Sequence, residues 1–334
     1  MSFFSKDNLS SSQHNGIFKQ EIKPDKLQGL EPVLRPKMFM LGGQPGAGKT
    51  KVREAITKQK QFANALTVDP DELRTYHPRY LDLVKEDPDN AAGRVHYDAS
   101  KWAQELREEA VKLKLNIIFD TSLGGGASAS VAAAKHAAKA GYDVEVHVAA
   151  VPLEQSRQGV RNRFEEAQAK YKNDPDNELP PRNVPMSKQL DAYKKMPEAI
   201  EKLAESGVVS RIRIANRGGE SLSDISGKFA VKKDGGKTST KALKDERTRP
   251  WTQQEIVQFE ETNKKIEDKL QDRVKEQINP QERRKLQEEL NDLKNQRLTV
   301  VNKKQKVIST SASKYNDWFK TYLEVDLDQL EENL

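Results

Sequence analysis

Nine residues, GGQPGAGKT at positions 42–50, set the tightest limit on what this chain can form. They follow a short apolar run at 38–41 and lead into a helix-compatible segment beginning near Lys49. Read as G-x-x-x-x-G-K-[ST], the motif is Gly43, four residues, Gly48, Lys49 and Thr50. The strand before it and the helix after it are the context a phosphate-binding loop requires. Glycines here let successive backbone N–H groups turn inward around an anion, and the following helix points its positive end at the same place. The expected nucleotide-binding set is therefore Gly43, Gln44, Pro45, Gly46, Ala47, Gly48, Lys49 and Thr50. Lys49 reaches the β- and γ-phosphates, and the Thr50 hydroxyl is placed for Mg²⁺. A chance match in a glycine-rich turn is the alternative, and the flanking strand and helix argue against it.

With 334 residues there is room for one full domain and an appendage. The absence of cysteine excludes disulfides and thiolate metal sites. The first 16 residues lack an apolar signal-peptide core, and no run approaches the roughly 18 apolar residues of a membrane span. The expectation is a soluble, cytoplasmic protein without a membrane partner, with an uncleaved export signal and a secreted effector as the minor alternative. A net charge of +6 on a chain that is 32% charged permits nucleic-acid binding without demanding it.

Four stretches divide the chain. Residues 1–35 read as a polar lead-in, interrupted by Pro24 and Pro32. Residues 36–221 alternate short apolar runs (38–41, 65–68, 116–119, 144–151 and 211–215) with helix-length segments (50–61, 98–114, 128–140, 153–172 and 187–206). That alternation predicts an α/β fold with a parallel sheet flanked by helices, of the P-loop kinase-like type. Residues 222–250 are polar and read as a linker or small β excursion, with Asp234-Gly235-Gly236 as a hairpin turn. Residues 251–334 predict a helical hairpin and tail. Thr252 with Glu255 makes a capping box, Asn279-Pro280-Gln281-Glu282 starts a second helix, and Trp318, Phe319 and Tyr322 mark the end.

In an open α/β sheet, ligands bind at the carboxyl ends of strands. The second strand is followed by DPDELRTYHPRY at 69–80 and the third by Asp120-Thr121-Ser122. Two acids near a γ-phosphate have two uses, holding Mg²⁺ and accepting a proton from an attacking hydroxyl. Asp120 closes the run Ile117-Ile118-Phe119, the usual place for a metal-organising acid, while a turn residue is its plain alternative. Asp71 competes with an ordinary helix-cap role. Downstream, Arg163 falls in a helical segment and Arg182 in a Pro/Asp/Asn loop, where mobile cations can meet transferring phosphate. His77 and His96 are the histidines nearest this chemistry.

GGQPGAGKT, TVDPDELRTYHPRY, IIFDTS, AVPLEQSRQGVRNRFE, PPRNVP and IRIANRGGE, in this order, resemble the zeta toxins, P-loop kinases of bacterial toxin–antitoxin systems. The resemblance covers roughly 36–221. It implies ATP and Mg²⁺ as cofactors and the 3′-hydroxyl of UDP-N-acetylglucosamine as phosphoryl acceptor. It makes Asp71 the general base, Lys49 and Thr50 the residues on ATP and Mg²⁺, and Arg163 and Arg182 the lid cations. Asp71, His77, Asp120 and Ser122 become the substrate-binding set, with Thr50 and Asp120 toward the metal. Two departures fall in the acceptor pocket. Asp120-Thr121-Ser122 replaces the family's Glu-Gly-Thr, and a family glutamate falls at or near Gln104. The resemblance therefore supports the catalytic class more firmly than the acceptor, and the ribose of NAD or another nucleotide stays open. It also implies a separate antitoxin chain as partner. A kinase of nucleic-acid hydroxyls lacks a stacking platform here, and a non-catalytic nucleotide-binding module docking through the hairpin would bind ATP without turnover.

Overall fold

The computed structural model describes residues 7–331, with side chains through residue 305. Contacts divide it into two units, residues 1–248 and 249–334.

The first unit opens with α1 (Ser11–Ile17), a π-helical turn at Phe18–Ile22, and α2 (Lys23–Leu27). Ser10 caps α1 in a reciprocal box with Gln13. Polar though this segment reads, it is anchored at three places. Phe18 and Ile22 enter the main core, and the Trp102 indole N–H donates to the His14 carbonyl at 3.1 Å. His14 Nδ1 lies 2.6 Å from the buried Asp98 carboxylate. Asp7 meets Arg79 and Arg94.

Then come β1 (Lys37–Gly42), α3 (Lys49–Thr57), β2 (Leu66–Val68), α4 (Pro70–Leu73), α5 (Tyr80–Glu86), α6 (Ala91–Arg94) and α7 (His96–Lys112). Beyond them lie β3 (Ile117–Asp120), α8 (Ala127–Lys139), β4 (Asp143–Ala149), α9 (Leu153–Asn173), α10 (Met186–Glu205) and β5 (Val209–Ala215). The strands form one sheet in the order β2-β3-β1-β4-β5, all parallel. Alternate side chains of β1 bury on opposite faces, as a strand's period of two dictates. Met38 and Met40 join the large core with Leu106 of α7, Ala134 of α8 and Ile200 of α10. Phe39 and Leu41 pack with Ile56 of α3 and with Phe62.

Residues 222–250 are no linker. β6 (Ser221–Ser226) adds an antiparallel edge strand to β5, and α11 (Lys228–Asp234) and α12 (Lys237–Thr248) follow. Their polarity has a physical cause: an edge strand and outer helices bury little, and only Val231 and Leu243 reach the core fully. Asp234-Gly235-Gly236 makes no hairpin. Gly235, at φ +59°, ends α11 in the left-handed conformation that glycine favours, and the chain turns into α12.

The second unit is a pair of helices, α13 (Gln253–Glu276) and α14 (Pro280–Glu331). The Thr252–Glu255 capping box starts α13, and Asn279 Oδ1 accepts the Gln281 and Glu282 N–H groups at the start of α14. Ile256 and Phe259 pack with Val301, and Arg297 bridges Glu260 and Glu267. The side chains of Trp318, Phe319 and Tyr322 lie outside the described residues.

Candidate active site

The parallel register brings Leu41 of β1 beside Asp120 of β3, and Val68 of β2 beside Phe119. The carboxyl ends of three strands therefore deliver the phosphate loop, Asp69 to Asp71, and Asp120 to one place. Gly48, at φ +86°, leads into α3. Gly46, at φ +80°, lies so close to α9 that a Cβ there would stand 2.0 Å from the Ser156 carbonyl oxygen. Lys49 Nζ lies 3.3 Å from both the Gly43 carbonyl and Asp120 Oδ1. Thr50 is exposed on the first turn of α3.

Asp69 caps α4 by accepting the Asp71 N–H at 2.8 Å, so the cap role belongs to Asp69 and Asp71 stays available. The Asp71 side chain is 45% exposed, with Arg74 Nη2 2.6 Å from one oxygen and Arg182 Nη2 on the other. Burial works to raise its pKa, but Arg182, Arg74 and Lys49 outweigh it and hold the carboxyl well below the usual range. Arg182 comes from the loop between α9 and α10, and Asp71 holds its guanidinium charged. Arg163 of α9 lies within electrostatic range of Arg182, Asp71 and Asp69. Lys49, Asp71, Asp120, Arg163 and Arg182 are thus brought together.

His77 is not part of this group. Its side chain is buried, with Nε2 3.0 Å from the Asp7 carbonyl and 3.9 Å from Asp98, so it helps fasten the amino-terminal segment. His96, at the start of α7, is the histidine in range of Asp71 and Arg74. Ser122 Oγ accepts the Gly124 N–H at 3.1 Å and shapes the turn after β3. Gln104 donates to Glu108 at 2.9 Å on an exposed stretch of α7. Arg74 escaped notice in the sequence, although its spacing of three from Asp71 on one helical turn was a usable signal. Arg217 lies in the IRIANRGGE stretch, just after β5. Its Nη1 donates to the Gln155 carbonyl at 3.0 Å beside the phosphate loop.

Asp69 is crowded by its neighbours. Burial, with Asp120 and Asp71 nearby, pushes its carboxyl up to about 6. Because this value lies above the ordinary 3.8, Asp69 supports the folded state fully below that pH and loses the contribution as pH rises through about 6. Asp69→Asn keeps an oxygen for the Asp71 N–H but removes the charge. It is expected to raise the unfolding free energy by ~1–2 kcal/mol at pH 7.5, solvent screening included. Urea unfolding at pH 7.5 and pH 4 checks this, and an equal gain at both pH values would contradict the assignment.

A cavity of about 350 Å³ lies elsewhere, lined by Lys37, Phe39, Glu145, His147 and Arg211 among others. It follows the strands beneath α3 rather than their carboxyl ends, and its charges are largely paired through Glu145.

The sheet order, the glycine loop and the acids after the strands define a P-loop, kinase-like α/β protein. The zeta toxin family model matches residues 21–227, and the chain belongs to that family. Toxin zeta of Enterococcus hirae is 30% identical over 196 residues, covering 59% of this chain and 66% of that protein. Toxin PezT of Streptococcus pneumoniae serotype 4 is 30% identical over 144 residues, covering 42% and 54%. The chain thus spans just under two thirds, or less, of these relatives' length. A solved structure from the PezAT chromosomal toxin–antitoxin system of Streptococcus pneumoniae shares the fold. Its TM-score is 0.63 at 22% identity, covering 81% of this chain and all of that one. Among the described residues no helix is long and apolar enough to cross a membrane.

Proposed function

We propose that this chain is an ATP-dependent phosphotransferase acting as a toxin, with the 3′-hydroxyl of UDP-N-acetylglucosamine as the favoured acceptor. One observation carries the reading: Asp71 is an ionised carboxylate held by Arg74 and Arg182 in the field of Lys49. An acid there can take the proton of an attacking hydroxyl, while Arg182 and Arg163 meet charge on the transferring phosphoryl group. Mg²⁺ suits this place. Asp69, Asp71 and Asp120 crowd negative charge that a cation relieves, with Thr50 and Asp120 as its direct holders and water as the rest. When bound, the ion would neutralise charge on the β- and γ-oxygens.

A second acceptor, the ribose of NAD, is kept on the composition of the acceptor side. Gln104 is neutral and turned to Glu108, and Asp120 faces Lys49. A separate antitoxin chain is the partner this reading calls for, and the solved structure that shares this fold comes from the PezAT toxin–antitoxin system. The substrate pool it needs is cytoplasmic. The test is transfer from γ-labelled ATP with Mg²⁺ to UDP-N-acetylglucosamine, other UDP-sugars, NAD and short oligonucleotides, with Lys49→Ala as control. Label on UDP-N-acetylglucosamine, lost in the control, is the expected result. Label on NAD alone would replace the acceptor, and ATP binding without transfer to any acceptor would refute the enzyme.

A further inference from the structure

The phosphate loop has a partner far down the chain. Arg247, near the end of α12, lies 203 residues from Gln44, and its Nη2 donates to Gln44 Oε1 at 3.1 Å. Nη1 donates to the Tyr193 carbonyl at 3.0 Å, and the guanidinium carbon stands 3.9 Å from the centre of the Tyr193 ring. Gln44 passes the contact on: fully buried, it donates through Nε2 to the Val151 carbonyl at 2.8 Å, just before α9. One buried chain of hydrogen bonds thus joins α12, the phosphate loop and the entry to α9.

Arg247 is 7% exposed. Its nearby partners are neutral: an amide oxygen, a backbone carbonyl, the Met196 sulfur and an aromatic face. Burial alone pushes the guanidinium down to about 10. A desolvated cation without a counter-charge is costly. Gln44, which Arg247 holds, is the second residue of the phosphate loop and is itself fully buried. The segment carrying Arg247 also lies outside residues 21–227, the part that matches the family model.

We propose that Arg247 is a positioning residue of the nucleotide site, fixing Gln44 and coupling the docking of α12 to phosphate in the loop. This rests on the nucleotide-binding reading above. Coupling of this kind is reciprocal: phosphate in the loop tightens α12, and α12 in place tightens phosphate binding.

The test uses the full chain. Calorimetry gives affinities for Mg·ADP and for adenosine, which lacks phosphates, in wild type, Arg247→Met, Arg247→Lys and Lys49→Ala. Hydrogen exchange follows residues 237–248 in wild type with each ligand. Arg247→Met is expected to weaken Mg·ADP roughly tenfold, the loss of one charged hydrogen bond, and adenosine less than twofold. Arg247→Lys should recover part of the loss. Wild-type α12 should gain protection with Mg·ADP and none with adenosine. Equal losses for both ligands, or unchanged protection of α12, would overturn the proposal, and the exchange measurement decides even if Arg247→Met does not fold. If Lys49→Ala loses Mg·ADP while Arg247→Met keeps it, the loop reading stands and the coupling falls. If Lys49→Ala binds Mg·ADP as wild type does, both fall.

Discussion

Asp71→Asn is expected to lower the rate of phosphoryl transfer by about 10²–10⁴ while leaving ATP affinity within roughly threefold. The asymmetry follows from what Asp71 touches. Its carboxylate bonds Arg74 and Arg182, whereas the Gly43 carbonyl and Asp120 hold Lys49. Asparagine keeps one oxygen for a guanidinium and the volume of the side chain, but it cannot accept a proton from an attacking hydroxyl. The same ion pairs set the pH behaviour. Arg182, Arg74 and Lys49 together overcome burial and keep Asp71 ionised throughout any usable pH range. Single-turnover rates with saturating ATP and acceptor, alongside equilibrium ATP binding, separate the two effects. Wild-type transfer by Asp71→Asn would show that the proton goes elsewhere. A matching loss of ATP affinity would make Asp71 a binding residue rather than a base.

Arg182 gives this result a further consequence. Its guanidinium is paired with Asp71. A transferring phosphoryl group competes for the same cation, and whatever it draws off returns basicity to Asp71. Substrate phosphate is therefore expected to loosen this ion pair.

The parts of the fold legible in the sequence were those with local causes. The glycine loop between strand and helix needs only its own residues, and the strand runs before Asp69 and Asp120 are short, apolar and bounded by helices. Thr252 and Glu255 announce a helix start because a capping box closes within four residues. What was not legible depended on distance. His77 sits within the motif that marks the acceptor side, yet its neighbour is Asp7, 70 residues away, and that contact takes it out of the site. Residues 222–250 read as a linker or small β excursion because an edge strand exposes most of its side chains, and only pairing with β5 makes it part of the sheet. Arg247 carries no local signal at all, since its partner Gln44 belongs to the other end of the unit.

Gly46→Ala is expected to be the most damaging single-methyl change in the chain. Two independent costs fall on it. The backbone there is at φ +80°, and a Cβ would stand 2.0 Å from the Ser156 carbonyl and 2.9 Å from the Val160 nitrogen, both main-chain atoms of α9. Left-handed backbone alone costs an L-residue about 1–2 kcal/mol. The overlap with a helix backbone has no side-chain rotation to relieve it, so the loop or the helix must move. Gly159, on the facing side of α9, is also tight: its Cβ would lie 2.7 Å from the Gly46 carbonyl. The two glycines are what allow α9 to lie against the phosphate loop, and through α9 the loop is tied to the element that carries Arg163. Gly46→Ala should therefore weaken Mg·ADP by at least ~100-fold, about 2.7 kcal/mol, and lower thermal stability as well. Gly125→Ala is the matched control, since no atom lies within 4 Å of its Cβ position and its φ is not in the left-handed range. It should bind and unfold as wild type does. Calorimetry and thermal unfolding of the two variants side by side decide the matter. A Gly46→Ala protein that binds Mg·ADP normally would mean that α9 does not shape the loop, and that the phosphate site is built from β1 and α3 alone.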